Sequence, residues 1–367
     1  MRFVHTADWQ LGMKAAHVGK AAERVRAARL ETIRRIQQLV REENVDFVLI
    51  AGDTFEDHGV SRKLVGEVGD LLAGFDCDVY VIPGNHDPWT PGGVWDQARE
   101  RWSKRIHVLT EAKPVEIRGG WLYPCPLTQR WSDQDPTEWI PSDSGEGIRI
   151  GLAHGSLKSP LWEGQQNHPI AADAAQRSGL DYLALGDWHS VKEVSGRGGA
   201  VRTAYSGTPE PTNFGEPDSG YVLLVDLETR GSRPRLETRK VSELDWWNLQ
   251  AEIHEPGDLQ RLVKTIKKHP NPSATLVRLR LTGVLFAAEA KLIDELPGLL
   301  SKGFLYGQVD DSGLIPDPKD DSWIQNLPEG SIRDAAIRIK TSAQNDKDPV
   351  ARRALLEIYR LANEGAA

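Results

Sequence analysis

The run Val79-Tyr80-Val81-Ile82-Pro83 followed by Gly84-Asn85-His86-Asp87 decides how this chain is read. Five apolar residues in a row suit a buried strand. The tetrapeptide then brings metal-capable and proton-shuttling groups to that strand's end, where open α/β sheets bind ligands. Asn, Asp and Gly also favour turns for backbone reasons alone, so one such tetrapeptide is compatible with a plain polar turn. Recurrence argues against that reading. Residues 2–7 lead to Asp8-Trp9-Gln10-Leu11-Gly12, and Phe47-Val48-Leu49-Ile50-Ala51-Gly52 ends in Asp53. Ile148 to Ala153 leads to His154-Gly155, and Tyr182 to Gly186 leads to Asp187-Trp188-His189.

Between the first three runs the pattern is helical. Val25, Ala28, Thr32, Ile36 and Leu39 recur at helical spacing within 20–43, and 62–74 reads as a second helix. Strand–helix–strand–helix–strand order implies parallel strands joined by right-handed crossovers, hence an α/β fold. Continuous apolar runs suit strands covered on both faces. From about 105 to 155 short strands dominate, at 107–109, 115–117 and 121–123, and 130–146 reads as a loop. Further strands are expected at 201–206 and 221–227, with the turn-rich 207–215 between them.

Composition shifts near 240. Helices at 256–269 and 286–300 with strands at 277–281 and 305–309 predict a small α+β domain over 243–312, after a first domain over 1–240. A Pro- and charge-rich linker is expected at 313–328, then a helical segment over 329–367. Its apolar stripes are Ile332, Ala335, Ala336 and Ile339, then Val350, Ala354, Ile358 and Leu361.

The composition narrows the class. The apolar fraction of 39% and charged fraction of 27% are ordinary for a soluble globular protein. A formal charge of -8 argues against a uniformly basic nucleic-acid binder but permits a local basic groove. Two cysteines, Cys77 and Cys125, without any Cys/His zinc spacing, exclude a disulfide framework and point to a reducing, cytoplasmic setting. No apolar run is long enough to span a bilayer, and no leader pattern opens the chain. Twelve tryptophans read as core or rim packing, with no chemistry assigned to them.

Five strand ends thus deliver Asp8 and Gln10, Asp53, Asn85 with His86, His154, and Asp187 with His189. All are oxygen or imidazole donors, suited to Mn²⁺, Mg²⁺, Fe²⁺ or Zn²⁺. One bridging carboxylate with donors on each side would hold two ions roughly 3.5–4 Å apart, a spacing used for phosphoester cleavage.

The order of these motifs resembles the calcineurin-like metallophosphoesterase superfamily, whose fold is a two-sheet sandwich flanked by helices. His5-Thr6-Ala7-Asp8-Trp9-Gln10-Leu11-Gly12 and Gly52-Asp53-Thr54-Phe55-Glu56-Asp57 resemble the SbcD-type DNA repair nucleases within it. The specific motifs cover about residues 1–228; beyond them only the order of a capping domain and terminal helices is similar. The resemblance implies a first ion held by Asp8, Asp53, His189 and Gln10, and a second held by Asp53, Asn85, His154 and Asp187, with Mn²⁺ expected and Mg²⁺ next. His86 would orient or protonate the scissile phosphate and its leaving oxygen. It further implies exonuclease and single-strand endonuclease action on DNA, an SbcC-like SMC-family ATPase as partner of the terminal helices, and a homodimer using 62–74 or 92–104. Two positions depart from the family, which usually carries His at the positions of Gln10 and Asp187. Both replacements keep an oxygen donor, and both shift the expected preference toward hard ions. The alternatives are a phosphodiesterase or phosphatase for small phosphoesters, and a catalytically weak DNA-end-binding scaffold for the ATPase.

Other polar residues have plainer readings. His5 is expected in the core, and Asp87 holds neighbouring backbone. Glu56 divides between a solvated acid and a supporting role. Asp57, His58 and His168 read as loop surface. Arg278, Arg280 and Lys302 are read as a solvated face at least as readily as DNA contacts.

Overall fold

A computed structural model describes residues 1–142, 146–158, 166–196, 199–343 and 348–364. They divide into two units, Met1–Leu244 and Asp245–Ala367.

In the first unit the chain runs β1 (Arg2–Thr6), α1 (Ala22–Glu43), β2 (Phe47–Ala51), α2 (Arg62–Ala73), β3 (Asp78–Ile82), α3 (Val94–Arg101), β4 (Ile106–Val108), β5 (Val115–Ile117) and β6 (Gly120–Cys125). It continues through β7 (Ile148–His154), α4 (Ala174–Arg177), β8 (Tyr182–Gly186), β9 (Lys192–Ser195), β10 (Val201–Tyr205), β11 (Tyr221–Asp226) and β12 (Arg235–Lys240). Two six-stranded sheets form, ordered β12-β11-β1-β2-β3-β4 and β5-β6-β7-β8-β10-β9. The parallel pairing of β1, β2 and β3 agrees with the strand–helix alternation. β11 pairs antiparallel to β1, and β12 is an edge strand that periodicity did not disclose.

Alternating side chains explain the layers. Phe3, Phe47, Leu49, Tyr80 and Ile82 of the first sheet share a buried cluster with Leu122, Ile150, Leu152, Tyr182 and Ala184 of the second. The opposite face of the first sheet, through Val4, Val48, Ile50, Val79 and Val81, is covered by Ile33 and Ile36 of α1 and Val65 and Val68 of α2. Each such side chain removed from water contributes roughly 1.5–3 kcal/mol. Because both faces are covered, β2 is buried at every residue, which is why it reads as an unbroken apolar run. His5 lies fully buried here, bonded to the Tyr182 hydroxyl at 2.9 Å and the Leu185 carbonyl at 3.2 Å. Burial lowers its pKa to about 3, so it stays a neutral core residue, as expected.

The second unit opens with β13 (Asp245–Ile253), α5 (Asp258–Lys267), β14 (Thr275–Leu285), α6 (Ala290–Gly303) and β15 (Tyr306–Pro316). The three strands are parallel, in the order β13-β14-β15. Val277, Leu279 and Leu281 of β14 bury against Val263 and Ile266 of α5 and Ile293, Leu296 and Leu300 of α6. Then come α7 (Ser322–Gln325), α8 (Ser331–Ala343) and α9 (Pro349–Glu364).

Two expectations change in this unit. The linker expected at 313–328 is not one: β15 continues to Pro316, and Trp323, Ile324 and Leu327 are buried in the unit's core. Its prolines and charges lie among apolar anchors that a compositional reading averages away. The buried face of α9 is also rotated from the expected stripe. Ala351, Leu355, Leu356 and Tyr359 face inward, while Val350 is 76% exposed and Leu361 65% exposed. Apolar residues surround too much of this helix for spacing to single out one face. Among the described residues no helix is long and apolar enough to cross a membrane, and Cys77 and Cys125 are free thiols.

Candidate functional site

The site lies where β1, β2, β3, β7 and β8 end. Register aligns those ends: Thr6 pairs with Ile50, Ala51 with Ile82, and His154 with Gly186. Asp8 N–H donates to the Gly52 carbonyl at 3.1 Å, and Gln10 N–H to the Asp53 carbonyl at 3.0 Å, so the first two loops are zipped together. Close approach then needs missing side chains. A Cβ on Gly84 would collide with the Asp53 carboxylate, and one on Gly52, at φ +87, would collide with the His154 ring. Asp8, Gln10, Asp53 and Asp187 adopt φ values of 55, 48, 51 and 103. Left-handed backbone at four non-glycine residues turns each side chain inward against its steric preference.

Donor atoms of Asp8, Asp53 and His154 lie within 4.8 Å of one another, and all three residues are buried. His154 Nδ1 sits 2.8 Å from the Ala51 carbonyl and can only donate there. Its Nε2 then faces Asn85 Oδ1 at 2.8 Å, Asp53 Oδ1 at 3.4 Å and Asp187 Oδ1 at 4.0 Å. Oxygens converging on one imidazole nitrogen call for a cation between them, either a proton or a divalent ion. Gln10 Nε2 donates to Asp53 Oδ2 at 2.9 Å, and its buried Oε1 has no hydrogen-bond partner among the described residues. An unmatched acceptor beside acidic oxygens fits a metal-donor position as well. The residues present therefore fit oxygen- and imidazole-coordinated divalent ions.

Supporting contacts orient these groups. Asp53 Oδ1 accepts the His86 backbone N–H at 2.9 Å. Asp187 Oδ2 accepts from the Ser156 hydroxyl at 2.6 Å, and the Asp187 N–H reaches both Asp8 oxygens at 3.1 and 3.2 Å. His189 Nδ1 is bonded to Glu216 Oε1 at 2.8 Å, which leaves Nε2 for a metal. Glu216 also accepts the Thr212 N–H at 2.8 Å. The half-buried His86 places Nδ1 3.1 Å from the Glu56 carbonyl, so Nε2 carries the lone pair or exchangeable proton.

The electrostatics follow from burial and crowding. Burial raises the Asp8 carboxyl to about 6; the histidine charges oppose this, while Asp53 and Asp187 add to it. Burial opposes charge on His154, but Asp53, Asp8 and Asp187 overcome it and hold the imidazole up at about 9. His189 is likewise raised against burial, by its Glu216 bond and the Asp8 charge. Asp87 accepts from the Phe55 and Gly84 N–H groups at 2.8 and 2.7 Å, the backbone-holding role expected of it. Burial first, then the Asp53 charge, push its carboxyl up to about 8.

The structure thus brings Asp8, Gln10, Asp53, Asn85, His154 and Asp187 together, with His189 within reach of the Asp8 field and His86 beside Asp53. Glu216 and Ser156 were not found by reading the sequence. Glu216 follows Gly215 in a turn-rich stretch and looks like a surface acid. His168 corrects a loop-surface expectation: it is buried, with Nε2 3.1 Å from the Gln129 carbonyl. His58 is half-buried rather than exposed.

Residues 1–199 match the profile of a family described as calcineurin-like phosphoesterase. The metallophosphoesterase YhaO of Bacillus subtilis (strain 168) is 25% identical over 304 residues, 77% of this chain and 72% of that protein. Among solved structures, TT1561 of Thermus thermophilus aligns at a TM-score of 0.43 and 14% identity, covering 65% of this chain and 98% of that one. Wild-type Vps29 complexed with zinc from Entamoeba histolytica aligns at 0.31 and 14%, covering 66% and 100%.

Proposed function

The chain belongs to the calcineurin-like phosphoesterase family, and on that premise we propose that the bond it hydrolyses is the phosphodiester of DNA. The observation that carries the chemistry is the convergence of Asp8, Asp53, Asn85, His154 and Asp187 oxygens and nitrogens on one point beside His86. The DNA assignment is supported by the stretches 5–12 and 52–57, which resemble SbcD-type nucleases.

Asp8, Gln10, Asp53 and His189 would hold one ion and Asp53, Asn85, His154 and Asp187 another, which would supply Lewis acidity for activating water and neutralising phosphate charge, Mn²⁺ being the proposed occupant and Mg²⁺ the next. The chain does the rest. Asp53 is held at both carboxylate oxygens, by the His86 N–H and by Gln10 Nε2, which would fix it for service in both ligand sets. Ser156 fixes Asp187, and Glu216 fixes His189. His86 presents Nε2 to the leaving oxygen, to orient it or pass it a proton as the phosphorus–oxygen bond breaks.

Incubating linear DNA with Mn²⁺ tests this reading. Degradation that is lost in Asp53→Ala and in His86→Ala upholds it. Hydrolysis of small phosphoesters without DNA cleavage would replace it with a small-molecule phosphodiesterase. DNA binding without any turnover would replace it with a scaffold.

We also propose that the terminal helices dock a coiled-coil SMC-like ATPase. The exposure of Ile332, Ile337, Val350 and Leu361 supports this. Because Leu355, Leu356 and Tyr359 belong to the core of the second unit, deleting 329–367 would unfold it. Val350→Asp with Leu361→Asp is the sounder test, read as lost co-purification with that co-expressed ATPase.

A further inference from the structure

Asp187-Trp188-His189 places a tryptophan between two residues of the site, yet the residue is 51% exposed. The backbone on either side is clamped. The Asp187 N–H is held by the Asp8 carboxylate, and the His189 carbonyl accepts the Thr208 N–H at 3.0 Å. The backbone that carries this tryptophan is therefore fixed by the site itself. Lys192 Nζ lies 5.3 Å from the ring centroid, within cation–π range.

A second exposed indole, next to a cation in sequence, lies on another loop. Trp131 is 50% exposed and follows Arg130, whose guanidinium approaches the His86 carbonyl at 3.5 Å. That loop is tied down by Asn167, whose Nδ2 donates to the Arg130 carbonyl at 2.9 Å and whose Oδ1 accepts the Ser132 N–H at 3.1 Å. Folding leaves two indoles in water here while Trp9 and Trp95 are fully buried. Exposed aromatic faces beside cations are what proteins use to hold single strands, with bases stacked on the rings and phosphates near the charges.

We propose that Trp188 with Lys192, and Trp131 with Arg130, form a platform that stacks unpaired nucleobases of single-stranded DNA beside the catalytic centre. This rests on the nuclease reading and narrows its substrate to single strands and frayed ends, because a base inside a duplex offers no free face. The platform acts on binding and selection and leaves the hydrolytic step to the centre.

The test is cleavage by the Mn²⁺-loaded full chain of a dT oligonucleotide and of an abasic strand of equal length. The quantity read is the ratio of their kcat/KM values. Trp188→Ala should lower that ratio about tenfold, roughly 1.4 kcal/mol. Trp188→Phe, which keeps a ring, should retain most of it. An unchanged ratio in Trp188→Ala overturns the platform. Trp131→Ala reads the same ratio should Trp188→Ala fail to fold. If the wild type cleaves no DNA but hydrolyses bis(p-nitrophenyl) phosphate, the nuclease reading has failed. The platform is then decided by fluorescence anisotropy with a nuclease-resistant phosphorothioate dT strand. Binding weakened about tenfold by Trp188→Ala upholds it, and equal or absent binding in both proteins overturns it.

Discussion

Metal binding at this site should expel a proton from His154. Without a metal, both ring nitrogens face oxygens, the Ala51 carbonyl at 2.8 Å and Asn85 Oδ1 at 2.8 Å, which suits an imidazolium donating on both sides. Asp53, Asp8 and Asp187 hold that imidazolium up at about 9. At pH 7 such a group is about 99% protonated, and a metal ligand must surrender its proton, so binding should release about one proton from it. Asp8, held at about 6, is largely ionised at pH 7 and adds little. The sign follows. Protons compete with the ion below about 9, so Mn²⁺ affinity should rise with pH by up to about tenfold per unit between pH 7 and 9 and flatten beyond. Titration calorimetry in two buffers of different ionisation enthalpy counts the protons. His154→Asn keeps an oxygen donor and, read at pH 8 where Asp8 stays mostly ionised even without the opposing His154 charge, should lower the count by about one. Equal counts in the two proteins would refute the reasoning.

Glu216→Gln leaves a hydrogen-bonding partner for His189 without its charge, and metal affinity should fall about 10- to 100-fold by calorimetry while the fold is kept. Gly84→Ala forces a methyl group into the Asp53 carboxylate, so metal binding should be lost although the far-ultraviolet circular dichroism is retained. Reverting Gln10→His and Asp187→His should move turnover away from Mn²⁺ and toward Zn²⁺; faster turnover of the unmodified chain with Zn²⁺ than with Mn²⁺ would contradict the reading of these positions.

Sequence legibility followed burial. Strands covered on both faces announce themselves as unbroken apolar runs, and a polar cluster directly after such a run is conspicuous. Asp8, Asp53, Asn85, His154 and Asp187 all stand out in the sequence in this way. Edge strand β12 carries one apolar residue, Leu236, among charged and polar ones and gives no such sign. Glu216 lies in a turn that follows no strand directly and reaches the site through His189, so chain order carries no trace of that contact. In the second unit, Trp323, Ile324 and Leu327 are single anchors among prolines and acids, and only tertiary packing shows that they complete a core.

The backbone strain bears on why the site has this form. Asp8, Gln10, Asp53 and Asp187 each occupy a left-handed conformation that disfavours a side chain by about 1 kcal/mol or more. Glycine would relieve each of them, yet every one carries an oxygen-bearing side chain turned toward the others. Three carboxylates crowded beside one another add repulsion to that strain: Asp8, raised first by burial, is pushed up further by Asp53 and Asp187, and all three hold the His154 imidazole up. Both costs are offset by the surrounding scaffold: the zipped Asp8 and Gln10 amides, the Asp187 amide held on Asp8, and the two apolar layers beneath. A fold selected for stability alone would place neither the strain nor the charge here. Cations bound at this centre would convert the repulsion into attraction, so loading it would relieve a cost that the scaffold otherwise carries.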